Sequence, residues 1–184
     1  MGQTDAMGRA FETITDQMIE FIERQHMFFV ASAPSSNGHV NVSPKGYDAF
    51  RILGPNKVCY LDLTGSGAET IAHSKQNGRV TFMFCGFDGK PNIVRLYGTS
   101  RVARPGDQEF AELLDLFPQH DGVRSIIVAD VHRTSNSCGY SVPFMDFVED
   151  RPTLQKHWDG VSDDDLAAYW DKKNQTSIDG LPAV

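Results

Sequence analysis

The patterning of this chain predicts a mainly β, α+β structure of six to seven antiparallel strands, a barrel or sandwich with flanking helices. Three observations carry the prediction. Strand-like apolar or alternating segments occupy residues 27–33, 39–43, 49–53, 57–63, 79–86, 92–104 and 124–133. Most are joined by short turns rich in Gly, Pro and Asn, and short connections make antiparallel neighbours. Helical periodicity is confined to a few stretches that do not alternate regularly with the strands.

The elements follow in order. Residues 12–25 place Ile14, Met18, Phe21 and Ile22 on one face, the spacing of an amphipathic helix. The segments at 27–33 and 39–43 flank Pro34-Ser35-Ser36-Asn37-Gly38, a hairpin connection. A second pair surrounds Gly54-Pro55-Asn56, and a third surrounds Phe87-Asp88-Gly89-Lys90-Pro91. A short helix is expected at 68–77, directly after a glycine-rich turn. Another is expected at 107–117, with Phe110, Leu113, Leu114 and Phe117 on one stripe. The last helix, 163–173, has Ser162 as its cap, three Asp in its first turn and two Lys at its end, which suits the helix dipole.

Composition narrows the function. The chain has 184 residues, 40% of them apolar, with twelve Phe, enough for one globular domain with a proper core. A net charge of −7 argues against nucleic-acid binding through a basic face. No apolar run reaches the length of a membrane span, and residues 1–6 lack the features of a signal peptide, so a cytoplasmic protein is expected. Cys59, Cys85 and Cys138 are far apart, the first two inside strand-like runs where core packing explains them. The six histidines show no metal-ligand spacing, so no metal is expected. No G-x-S-x-G nucleophile elbow is present.

Two polar turns carry the candidate chemistry. Thr64-Gly65-Ser66-Gly67 opens directly into the helix at 68–77. Free backbone N–H groups, the positive end of the helix dipole, small residues and hydroxyls together describe an anion site. In the other segment, Asn41, Ser43 and Lys45 alternate onto one face, with Val40 and Val42 on the other. Pro44 cannot donate to a strand ladder, so this segment should bend or lie at a sheet edge. The stretch from Asn136 to Pro143 ends the last strand with small polar residues, Cys138 and Tyr140.

These segments, taken in order, resemble the pyridoxamine 5′-phosphate oxidase-like family, flavoproteins with a split β-barrel. The residues that carry it are 39–46, 61–67 with the following helix, 77–84, 97–102 and 137–140, and the likeness covers about residues 12–150. The resemblance implies a homodimer with FMN at the subunit interface and a small-molecule substrate or electron donor. Asn41, Ser43 and Lys45 would line the flavin, and Thr64, Gly65, Ser66, Gly67 and Thr70 would hold its phosphate. Arg95 or Lys45 would help neutralise that phosphate, and Cys138 and Tyr140 would lie near the ring. Residues 1–150 would form the FMN-binding domain. Residues 151–184, an acidic extension with a short helix, would pack on it.

The chain departs from the family at two places. The oxidases carry an adjacent Arg-Lys pair near the start of the helix after the turn, where this chain has Glu69-Thr70. They end in a segment with a Trp and an Arg that serve flavin and substrate; the tail here, with Trp158 and Trp170, is acidic. Pyridoxamine phosphate is therefore not assigned as substrate, and no catalytic residue is nominated. The function implied is an FMN-dependent oxidoreductase, with a non-catalytic flavin-binding module as one alternative. The other is a Rossmann-type nucleotide binder, since Gly65-x-Gly67-x-x-Thr70 follows a strand and Asp88 lies about twenty residues on.

Overall fold

Alternation of apolar and polar residues sets most of the strands, and a computed structural model describes residues 8–184. The first half contains β1 (Ala10–Phe11), α1 (Asp16–Glu23), β2 (Phe28–Ser32), β3 (Asn41–Lys45), β4 (Phe50–Gly54), β5 (Lys57–Leu63) and α2 (Glu69–Gln76). The second contains β6 (Arg79–Cys85), β7 (Ile93–Ala103), α3 (Gln108–Leu114), β8 (Val123–Ser137), α4 (Thr153–Trp158) and α5 (Asp163–Lys173). Thr15 caps α1 and Ser162 caps α5, each accepting a backbone N–H of the first turn. No described helix is long and apolar enough to cross a membrane.

The strands form one sheet in the order β3-β2-β6-β7-β8-β5-β4, with β1 added to β8. The described pairings are all antiparallel, which removes the parallel core that a Rossmann fold requires. The sheet curls until its ends approach. Phe28 on β2 lies 5.0 Å from Phe50 on β4, and Lys45 on β3 reaches Asp62 on β5. Because β3 and β4 end the hydrogen-bonded order, the barrel is split between them.

Two cores lie on opposite sides of the sheet. Inside the curl, Val30, Tyr60, Phe82, Phe84 and Leu96 pack with Met18, Phe21 and Ile22 of α1 and Ile71 of α2. Outside, Cys59, Leu61, Ile126 and Val128 pack beneath Phe110 and Phe117 at α3. β5 and the first half of β8 are thus buried on both faces, which explains the nearly continuous apolar runs from Val58 to Leu61 and from Ile126 to Ala129. Burial also pushes the Cys59 thiol up to about 12, as suits a packing residue.

Several boundaries differ from the sequence expectation. β3 begins at Asn41 rather than 39, and β8 continues past 133 to Ser137. That extension pairs with the two-residue β1, Ala10 opposite Ser135 and Phe11 opposite Thr134. Helix α4 was not expected. It is six residues long and has no side-chain cap, so it leaves little local signal. The terminal segment holds two helices in place of one, and Trp158, Leu166, Asn174 and Ala183 are buried.

Candidate functional site

Edge strand β3 turns its polar residues inward. Val40 and Val42 are 71% and 59% exposed, while Asn41, Ser43 and Lys45 are partly buried. Asn41 donates to the Thr70 hydroxyl at 3.3 Å and shares a hydrogen bond with Ser43. Pro44 sits at the sheet edge, where its missing N–H costs no ladder bond. β3, the end of β5 and the start of α2 therefore bring Asn41, Ser43, Lys45 and Thr70 into one polar cluster.

Asp62 anchors this cluster. It is buried at 1% exposure and binds Lys45 at 3.3 Å, Arg124 at 2.9 Å and the Ser125 hydroxyl at 3.2 Å. Burial alone would raise its pKa, but the Arg124 and Lys45 charges outweigh burial and hold the carboxyl below its usual range. The Lys45 ammonium also lies 5.4 Å from the Tyr60 ring centroid. The phenol of Tyr60 is buried, has no hydrogen-bond partner among the described residues, and is held protonated by burial. Sequence reasoning missed Asp62 and Arg124. The signal available was a lone carboxylate inside an apolar strand, which must find a buried partner.

The turn at residues 64–67 is partly covered by the C-terminal segment. Thr64 is fully buried, and its N–H donates to the Gly122 carbonyl. The indole N–H of Trp170 donates to the Thr64 hydroxyl at 2.9 Å, and that of Trp158 to the Thr64 carbonyl at 3.0 Å. Trp158 lies so close to Gly122 that a methyl group there would sit 2.6 Å from the ring. Gly122 also has φ +73°, so glycine is required twice over. Asn174, fully buried, donates to the carbonyls of Gly65 and Ser66, and Arg124 donates to that of Gly67.

Ser66 and Gly67 remain exposed, but Gly67 faces a carboxylate. Glu69 folds back over the turn, with one oxygen 2.5 Å from where a side-chain carbon on Gly67 would be. Its other oxygen accepts the N–H of Ile178 at 3.3 Å. A second carboxylate, from the tail, sits against the start of β3. Asp179 accepts the His39 backbone N–H at 2.8 Å and lies 2.7 Å from the ring Nδ1, and these bonds hold its carboxyl below the ordinary range.

The remaining candidates lie elsewhere. Cross-strand partners share a face of a sheet. Ser43, Val30, Phe82 and Leu96 form one row, facing the core. Arg95 belongs to the next row, opposite Met83, Phe29 and Pro44, and therefore to the outer face. It does not meet Asn41, Ser43 or Lys45 within one protomer. Instead Arg95 donates to the Ser137 hydroxyl at 3.0 Å, beside a cleft of about 660 Å³ that Cys138 and Tyr140 line. Cys138 is exposed, and Tyr140 is 76% exposed.

A split antiparallel barrel with a polar edge strand and a glycine-rich turn before α2 defines a class, and comparison with known proteins supplies the family. The pyridoxamine 5′-phosphate oxidase family model matches residues 14–138. A pyridoxamine 5′-phosphate oxidase family protein, ustO of Aspergillus flavus, is 38% identical over 191 aligned positions, covering 95% of this chain and 77% of its own. The chain belongs to the pyridoxamine 5′-phosphate oxidase family. Solved structures share the fold at lower identity. HupZ of Group A Streptococcus is 20% identical with a TM-score of 0.53, covering 68% of this chain and 98% of its own. A candidate pyridoxamine 5′-phosphate oxidase of Lactobacillus delbrueckii is 16% identical with a TM-score of 0.55, covering 70% and 98%.

Proposed function

We propose that this protein is a flavin-binding oxidoreductase, working as a cytoplasmic homodimer with the flavin held between protomers. Family membership favours a flavin. The observation that carries the reading is the inverted polarity of β3, with Asn41, Ser43 and Lys45 inward and Val40 and Val42 exposed. An unpaired edge strand with apolar outward side chains invites a second chain. The exposed Phe144, Met145, Phe147 and Val148 add apolar surface of the kind a partner covers.

The polar cluster fits the ring and sugar chain of a flavin. Asn41 and Ser43 would donate to and accept from the polar edge of the ring. Lys45 would set a cation beside negative charge developing there, and Asp62 with Arg124 fixes where that cation stands. The flavin, when bound, supplies hydride or electron transfer, and this chain binds it, orients it and keeps water out. The cleft lined by Cys138 and Tyr140 is the proposed approach for a small-molecule substrate or electron donor.

The fit stops at the phosphate. Glu69 stands over the turn, Thr64 is sealed beneath Trp158 and Trp170, and Lys45 and Arg124 are both engaged by Asp62. The proposal is therefore for a flavin, with no role given to the 64–67 turn in binding FMN phosphate. Flavin fluorescence tests it: quenching at micromolar protein is expected with riboflavin, and no quenching with riboflavin or FMN would overturn it. A bound flavin that no small acceptor reoxidises rapidly after reduction would make the protein a carrier instead.

A further inference from the structure

We infer that Glu69 and the C-terminal segment stand where a ligand's phosphate would otherwise sit, so that the site takes flavins without preference for a 5′-phosphate. The inference rests on the flavin reading above and concerns what that site selects.

The start of α2 already has its negative charge. Glu69 holds a carboxylate over the turn, favourable at a helix N-terminus. The Ile178 N–H fixes one of its oxygens from the tail side. Asn174 on the Gly65 and Ser66 carbonyls and both tryptophans on Thr64 fix the turn beneath the tail, with the Thr64 hydroxyl already engaged by Trp170.

The neighbouring cations are spent as well. Arg124 serves Asp62 and the Gly67 carbonyl, and Lys45 serves Asp62. A phosphate carries nearly two negative charges at neutral pH. At this turn it would meet the Glu69 carboxylate, which lies against Gly67. A neutral polyol chain carries no such penalty, and the exposed Ser66 offers it a hydroxyl.

Fluorescence titration of the intact protein with riboflavin and with FMN tests the inference. Riboflavin is expected to bind as tightly as FMN or more tightly. FMN binding tenfold or more tighter than riboflavin would overturn the inference and leave the flavin reading standing. Binding of neither would overturn both. Glu69→Lys removes the carboxylate and installs a cation, and it is expected to move the riboflavin-to-FMN ratio at least tenfold towards FMN. An unchanged ratio in that variant would overturn the role given to Glu69.

Discussion

Trp170 donates its indole N–H to the hydroxyl of Thr64 at 2.9 Å, across 106 positions of sequence. With Trp158 on the carbonyl of the same residue, it closes the C-terminal helices over the turn that precedes α2. This contact buries the Thr64 end of the turn while Ser66 and Gly67 stay exposed, and it makes the tail part of the barrel's stability.

Removing the two indoles should therefore cost stability unequally. Trp158 is 5% exposed and fills the space over Gly122, so Trp158→Ala is expected to cost about 3 kcal/mol or more. Trp170→Phe keeps most of the ring and loses one hydrogen bond, at about 1 kcal/mol. Urea unfolding followed by circular dichroism would measure both. Equal small losses would mean that the tail rests on the barrel without supporting it.

Asp62→Asn leaves Arg124 and Lys45 facing each other without a counter-charge. Breaking a buried pair in this way costs roughly 3–5 kcal/mol. The sign of the pH effect follows from the lowered pKa of Asp62. Its stabilisation is fully present above the ordinary Asp value of about 3.9 and is lost as pH falls through the lower folded value. Urea midpoints of wild type and variant should converge only in strong acid.

His73 works in the opposite pH range. It is fully buried in α2, its Nδ1 lies 2.9 Å from the Ser32 hydroxyl, and its Nε2 has no partner among the described residues. Burial holds its pKa below the ordinary value of about 6.5. The unfolded chain then binds the proton more readily, so stability falls as pH drops below that value. His73→Gln is expected to flatten this slope between neutral pH and the range where carboxylates begin to titrate. An unchanged slope would assign the effect to another group.

Val42→Asp places a charge on the outward face of β3 without touching the core, since Val42 is exposed. Sedimentation is expected to show monomers with an unchanged circular dichroism spectrum, and flavin binding is expected to weaken with the loss of the partner. A dimer that survives this change would place the interface on another surface.

Much of the fold was legible because the strands obey local rules. The pairs β2–β3, β4–β5 and β6–β7 follow from turn residues and alternation alone. The Pro44 argument for an edge strand also agrees with the position of β3. The end of β8 was missed because residues from Arg133 to Ser137 are polar, and a distant two-residue strand holds them in the sheet. Within the site, the position of the 64–67 turn before α2 was readable, and its closure was not. The bonds that close it join Thr64, Gly65 and Ser66 to side chains 94 to 109 positions away. Arg95 looked like a neighbour of the polar cluster, and only the register puts it on the opposite face.

The central claim, that two copies of this barrel hold a flavin against the inward face of β3, is tested most directly by flavin stoichiometry. Equilibrium dialysis of wild-type protein against riboflavin should give saturable binding of one flavin per chain, weakened when Asn41 and Lys45 are both changed to Ala. Absence of saturable binding in the wild type, or affinity unaffected by those two changes, would contradict it.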